Sequence, residues 1–300
     1  MNGKPGDKQL ITYQNLYLDI RRQFLRAGFP GAGLEAREIV CFGSGKTREE
    51  FYRDSPLYTS PEIEEAVRAL AERHTGGEPV AYLIGEWEFY GLTLEVTPAV
   101  LIPRADTEVL AEAAVEFAGR MEKCRLLDLC TGSGCVGLAA AVNVPDCRVL
   151  LGDISEKALE VCRRNVRRCG LMDRVKADRL DALTPPPASI GTFQCITCNP
   201  PYITCGEMEE LDRSVKDFEP HLALCGGEDG LDFYRAIVRN WKAALTEGGR
   251  MYFEVGAGQA DAVLRLMQSG GFADVNILPD TQGTGRVVYG TAPERNNDDS

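Results

Sequence analysis

Along the first third of the chain, apolar residues return every three or four positions. Tyr13, Leu16, Tyr17, Ile20 and Phe24 share one helical face, and Gly28 with Pro30 ends that segment. A second helix carries Ala36, Ile39 and Val40. Thr47 followed by Glu50 is a capping-box pattern that opens a short third helix. Ser60-Pro61 starts a fourth, with Ile63, Ala66, Val67 and Leu70 inward, and Gly76-Gly77 stops it. His74 falls on the same face near that end and suits a capping or packing role. From residue 82 to 101 the spacing changes to that of strands. Tyr82-Leu-Ile84 and then residues 87–96, broken at Gly91, predict a hairpin closed by Pro98 and Pro103.

Beyond it strands and helices alternate, which means a parallel sheet. A helix begins near Asp106, with Val109, Leu110, Ala113, Ala114 and Phe117 on one face. Strands are expected at residues 126–130, 148–151, 175–177, 193–198 and 251–255, and helices at 135–142, 155–169, 231–245 and 259–267. Residues 275–278 and 286–289 suit a closing hairpin. The division expected is a helical domain over 1–80, a hairpin linker over 81–103, an α/β domain over 104–290 and a disordered tail over 291–300.

Three strand ends carry chemistry. At the fourth, Asn199 precedes Pro200, Pro201 and Tyr202. Neither proline has an N–H, and the residue before a proline is driven out of the α region, so Asn199 sits extended at the strand tip. That edge is where open α/β sheets bind ligands. Free carbonyl oxygens, the Asn199 amide and the Tyr202 ring together suit a planar NH2 group. At the first strand end, Gly132 and Gly134 let backbone approach a ligand closely. Asp153, 19 residues after Gly134, is placed to accept ribose hydroxyls. At the third, Asp178 is placed to accept from an adenine amino group, or Arg179 to stack on the ring. Gly132, Gly134 and Gly137 also satisfy a dinucleotide fingerprint, but hydride transfer needs an acid or base and this half offers only His221. An S-adenosylmethionine site is favoured over a nicotinamide site, because nothing in Asn-Pro-Pro-Tyr serves a hydride.

Composition narrows the setting. Charged residues at 26% and hydrophobic ones at 44% describe a globular chain with a real core, and no apolar run reaches membrane length. The polar start lacks an apolar signal region, and the eleven scattered cysteines read as reduced, buried thiols of a cytoplasmic protein. Cys195 and Cys198 form a single Cys-x-x-Cys whose members point to opposite faces of a strand, and two histidines speak against zinc. A net charge of −12 argues against nucleic acid as the main partner. Residues 43–47, Gly-Ser-Gly-Lys-Thr, imitate a phosphate loop, but Val40 stands where its first glycine is needed and no strand precedes it.

Several segments together resemble the HemK/PrmC family, methyltransferases of the glutamine side-chain amide in peptide chain release factors. They are Glu78-Pro-Val-Ala-Tyr-Leu-Ile-Gly85, Val100-Leu-Ile-Pro-Arg104, Asp128-Leu-Cys-Thr-Gly-Ser-Gly134, Asp153-Ile-Ser, Asn199-Pro-Pro-Tyr-Ile203, the Glu219-Pro and Gly226-Gly-Glu-Asp-Gly230 run, Glu254-Val-Gly and Gly285-Arg-Val-Val-Tyr-Gly290. The resemblance implies a seven-stranded, Rossmann-like class I methyltransferase domain behind a helical bundle and a hairpin. It implies methyl transfer from S-adenosyl-L-methionine to N5 of the glutamine in a Gly-Gly-Gln motif, leaving S-adenosyl-L-homocysteine. The expected partner is a class I release factor, recognised by the helical domain. No stable nucleic-acid or membrane partner is expected of this cytoplasmic, monomeric enzyme.

Carried over, the cofactor loop falls on Cys130, Thr131, Gly132, Ser133 and Gly134, the ribose acid on Asp153 and an adenine-side position on Arg179. The amide-gripping tetrad falls on Asn199, Pro200, Pro201 and Tyr202, with Asn199 also near the cofactor. The resemblance further implies that the Asn199 side-chain oxygen and the Pro200 carbonyl accept the two amide N–H bonds, so that no general base is required. Three departures stand out. Cys130 replaces a glycine and is expected to narrow the first turn, Arg179 replaces an aromatic residue, and Ala105 replaces a proline. Glu254 and Arg104 each admit a structural and a functional reading; Trp87, Phe89 and Tyr90 read as hairpin packing. Phe218 and His221 sit in the loop after the motif and are placed to shape the substrate channel, with a structural role favoured for His221. Two rivals remain: a DNA amino-methyltransferase, opposed by 11 basic against 15 acidic residues over positions 1–100, and a binding protein inactivated through Cys130.

Overall fold

The computed structural model describes residues 10–293. The chain forms two compact units, Met1–Gly85 and Glu86–Ser300.

In the first unit, α1 (Tyr13–Ala27), α2 (Ala32–Ser44), α3 (Arg48–Asp54) and α4 (Pro61–Thr75) follow the apolar periodicity. Thr47 and Glu50 close both bonds of the capping box, and Ser60 caps α4 with Pro61 in its first turn. The false phosphate loop is the left-handed Gly45 at the end of α2, followed by the Thr47 cap. His74 is buried, edge-on to Phe24 and against Phe29, with Nδ1 on the Glu78 carbonyl at 2.9 Å. The strand expected at Tyr82-Leu-Ile84 is instead helix α5 (Val80–Ile84). Pro79 presets its first turn, Gly85 ends it left-handed, and Val80, Ala81 and Leu83 go inward. A short apolar run has no period of its own, so the flanking proline and glycine decide.

The second unit opens with an antiparallel hairpin, β1 (Glu86–Phe89) and β2 (Leu92–Glu95). Tyr90 and Gly91 both take positive φ, the two-residue turn whose twist matches the strands. After a 3-10 turn, Ala105–Thr107, come α6 (Glu108–Gly119), β3 (Cys124–Leu129), α7 (Cys135–Asn143), β4 (Cys147–Asp153), α8 (Glu156–Arg168) and β5 (Val175–Arg179). Then follow β6 (Phe193–Cys198), the single turn α9 (Arg213–Lys216), α10 (Asp232–Trp241), β7 (Leu245–Glu254), α11 (Ala260–Ser269), β8 (Ala273–Pro279) and β9 (Gly285–Thr291).

The seven-stranded sheet has the order β5-β4-β3-β6-β7-β9-β8, parallel except at β9. Helices α6, α7 and α8 cover one face, while α10 and α11 cover the other. Cys195 packs in the first layer and Cys198 in the second, as strand alternation requires. β7 starts six residues before the run expected, because Gly248 and Gly249 interrupt the apolar pattern where the register with β6 shifts. Thr291 ends β9 and Ala292 is buried, so these two are not tail; residues 294–300 lie outside the described residues. Among the described residues no helix is long and apolar enough to cross a membrane.

Candidate active site

At the carboxyl ends of the central strands a cavity of about 270 Å³ opens. Asn199 and Pro201 line it; Pro200 is buried between them, and Tyr202, half-buried, is not among the wall residues. The turn is braced from outside. Gln259, at the start of α11, donates Nε2 to the Tyr202 carbonyl at 3.0 Å. Ile203 pairs with Leu224 and Gly226 across the chain's return. A Cβ on Gly226 would stand 2.6 Å from the Pro201 oxygen, and one on Gly230 2.3 Å from the Tyr202 oxygen. Only hydrogen at those positions allows the backbones to meet. Burial pushes the Tyr202 hydroxyl up to about 12, with Glu254 adding to the effect, so the ring stays neutral. Asn199 Nδ2 points inward to Thr107 Oγ1 at 3.4 Å.

The first turn is built on left-handed backbone. Cys130, Gly132 and Gly134 have φ of 55°, 55° and 87°. Gly134 is the N-cap of α7 and does not line the cavity, whereas Cys130, Thr131, Gly132 and Ser133 do. Asp153, also on the wall, receives Gly132 N on Oδ2 and Ser155 N on Oδ1, both at 2.9 Å. The Ile154 N–H also bears on this carboxylate, which still has accepting capacity, and burial raises its pKa. Ser133 Oγ is buried without a hydrogen-bond partner. Behind the turn, Asp128 accepts the Thr131 and Thr197 hydroxyls and Gly137 N, and burial still pushes it up to about 6. Asn165 of α8 donates to the carbonyls of Ser133 and Glu95, which ties the turn to β2. The Cys130 thiol faces that of Cys198 and packs partly on the second core layer, while the residue itself stays on the cavity wall.

Asp178 and Arg179 are not brought to this cavity. Both line a separate depression beside Arg148 and Arg174. Arg179 Nε reaches the Ile154 carbonyl at 3.3 Å, the rear of a wall residue. β5 runs through Arg179, paired with Asp153, so the chain turns into the cavity only at Leu180, Asp181, Ala182 and Leu183. The Trp241 indole holds the Ala182 carbonyl at 3.0 Å, and Asn240 holds that of Leu183 at 2.9 Å. Arg104, a wall residue, pairs with the buried Glu219, which also takes Ile102 N. That pair joins two of the diagnostic segments. His221 lies exposed on the Lys216 carbonyl, while its neighbours Pro220 and Leu222 are on the wall.

A family described as the PrmC N-terminal domain matches residues 16–85, and one described as the methyltransferase small domain matches residues 106–216. A release factor glutamine methyltransferase from Thermodesulfovibrio yellowstonii is 38% identical over 85% of this chain and 90% of its own. One from Koribacter versatilis is 37% identical over 94% of this chain and 99% of its own. The chain belongs to the release factor glutamine methyltransferase family. Its fold is that of class I methyltransferases. The catalytic domain of hMettl16 in complex with a MAT2A 3'UTR hairpin aligns with a TM-score of 0.57 at 15% identity, over 77% of this chain and 81% of that one. A methyltransferase from Pyrococcus furiosus aligns at 0.51 and 18%, over 69% and 91%.

Sequence pattern alone passed over Asp181, Thr107 and Asn165, and took Asp128 only as part of a diagnostic segment. Asp181 follows its strand by two residues, and that offset was the one signal available. Thr107 and Asn165 act across long sequence separations, for which a single sequence holds no signal.

Proposed function

We propose that this chain transfers a methyl group from S-adenosyl-L-methionine to the side-chain amide nitrogen of a glutamine in peptide chain release factors. The observation that carries the reading is that Asn199 and Asp153 line one cavity. The wall suits a ribonucleoside. Asp153 keeps accepting capacity for ribose hydroxyls, Ser133 Oγ lacks a partner, and Gly132 leaves open space where a Cβ would stand. Asp181 at the end of the third strand, its Oδ1 fixed by Leu183 N, takes the adenine-side role first sought at Asp178. When bound, S-adenosyl-L-methionine supplies an electrophilic methyl group.

The protein's task is the amide, whose nitrogen lone pair is delocalised into its carbonyl. Asn199 Oδ1 and the Pro200 carbonyl accept its two N–H bonds and favour a pyramidal nitrogen with the lone pair directed along the methyl. As the new C–N bond forms at the expense of the methyl–sulfonium bond, whose electron pair stays on the departing thioether, the nitrogen gains positive charge, so both acceptors tighten most in the transition state. The resulting cation is a strong acid and sheds its proton afterwards. The first unit, Met1–Gly85, is assigned to recognition of the release factor. Incubation with a labelled methyl donor and a purified release factor tests the function. Label on a glutamine side chain, mapped by mass spectrometry, is expected; label elsewhere, or none, overturns it.

A further inference from the structure

Behind the amide turn lies a carboxyl group that the chemistry above leaves unused. Glu254, the last residue of β7, is 1% exposed and is not on the cavity wall. Its Oε2 has no hydrogen-bond partner. The Thr107 hydroxyl and the Asn199 amide both face this carboxyl and favour its charged form, while Asn199 Nδ2 also donates to Thr107 Oγ1.

An asparagine side chain can be turned over, which exchanges its oxygen for its NH2 at nearly the same position. Only one orientation serves a substrate nitrogen that carries two hydrogens: Oδ1 must face the cavity. A carboxylate has no hydrogen to give, so any group that bonds it must donate. We propose that Glu254 is a positioning residue whose carboxylate holds the NH2 end of Asn199 inward, directly and through Thr107, and thereby turns Asn199 Oδ1 toward the substrate amide. This deepens the function proposed above and rests on it.

The surroundings give the arrangement a pH dependence. Arg286 of β9 and Asp106 of the 3-10 turn face Glu254 with opposite effects, and Arg286 is already paired with Asp106 at 3.0 Å and Asp280 at 3.4 Å. Tyr202, Tyr234 of α10 and Cys135 of α7 are the neutral neighbours. Burial prevails and pushes the carboxyl from its ordinary 4.5 up to about 7. Below that pH the folded protein holds a proton on Glu254. A protonated carboxyl can donate to Asn199 Oδ1 and fix the wrong orientation, so turnover falls on the acid side. Stability runs the other way. The unfolded chain ionises near 4.5, so the fold loses stability from this group as pH rises from there through about 7.

Steady-state kinetics on a release factor from about pH 6 to 9 tests the role. In Glu254→Gln, kcat at about pH 8 is expected to fall about tenfold or more, as for a lost orienting group, with donor affinity unchanged. The acid limb near 7 is expected to vanish, and the unfolding temperature at about pH 8 to stay equal or rise, because a buried charge is gone. Thr107→Val removes one donor to the carboxylate and is expected to move the acid limb upward. A wild-type kcat or a retained acid limb in Glu254→Gln overturns the proposal, as does an unmoved limb in Thr107→Val should the first variant not fold. A wild-type rate in Glu254→Gln beside a dead Asn199→Ala sinks the positioning role alone. An inactive parent chain overturns both readings.

Discussion

Residues 130–134 and residues 199–202 are both strand-end turns on one cavity, yet they are made of opposite materials. The first relies on left-handed backbone at Cys130, Gly132 and Gly134, with the Gly132 N–H on an acid, Asp153, and the Thr131 and Gly134 N–H groups on backbone carbonyls. The second relies on two prolines that have no N–H at all, and its one side-chain amide spends its NH2 on Thr107, which leaves oxygens rather than hydrogens to offer. The first turn spends its N–H groups within the protein and in doing so positions a carboxylate on the cavity wall. A backbone stripped of N–H groups can only accept. The difference matches the two tasks: a nucleoside offers hydroxyls to an acid, while a carboxamide nitrogen offers hydrogens to oxygens. Their supports differ as well. Asn165 and Asp128 brace the first turn through side chains, whereas the second is braced by the close backbone of Gly226 and Gly230 together with the Gln259 side chain.

The contrast can be broken most severely at the acceptor itself. Asn199→Ala is expected to cost about 3 kcal/mol or more in the barrier, a loss of over a hundredfold in kcat, by analogy with deleting one preorganised transition-state partner. Donor affinity should stay within a few-fold, read by calorimetry. The converse break is Asp153→Ala, which removes a charged acceptor from Gly132 N and Ser155 N. It is expected to weaken donor binding by about 2 kcal/mol, near thirtyfold, with kcat at saturating donor far less affected. Equal losses in both constants for both variants would mean that the two turns are one functional unit.

Gly226→Ala attacks the support of the second turn alone. Its Cβ would meet the backbone of Pro201 and Tyr202 at 2.6 and 2.8 Å, so the turn must shift. About 1–2 kcal/mol of stability should be lost in a denaturant titration, with kcat lowered more than donor affinity. Cys130→Gly is the mildest change. A left-handed position costs a non-glycine residue about 1 kcal/mol, partly offset by the freedom glycine gains when unfolded. A small rise in unfolding temperature and unchanged or tighter donor binding are expected. A clear loss of either would show that the contact between the Cys130 and Cys198 thiols outweighs the strain.

The helices of the first unit were legible because amphipathic period and capping residues act locally. Thr47 and Glu50 form the box that their spacing announces, and Ser60-Pro61 opens α4. The Asn-Pro-Pro-Tyr turn was legible for a similar reason, since proline restricts its own backbone and that of its predecessor wherever it stands. Short apolar runs were not. Residues 82–84 carry no period, and helix α5 there is set by Pro79 and Gly85.

What the sequence determined by itself is thus what is governed within one turn of chain: the types of the longer, periodic elements, the caps, the strand-end position of Asn199 and the acid of Asp153. Tertiary structure alone decided which strand-end residues share a cavity. Strand length moved Asp178 and Arg179 outside and brought Asp181 in, because β5 stays paired with β4 as far as Arg179. It also set Thr107 and Glu254 behind Asn199 from 92 residues before it and 55 after. Contacts of that separation are chosen by sheet order and packing, and neither is written in any local stretch of residues.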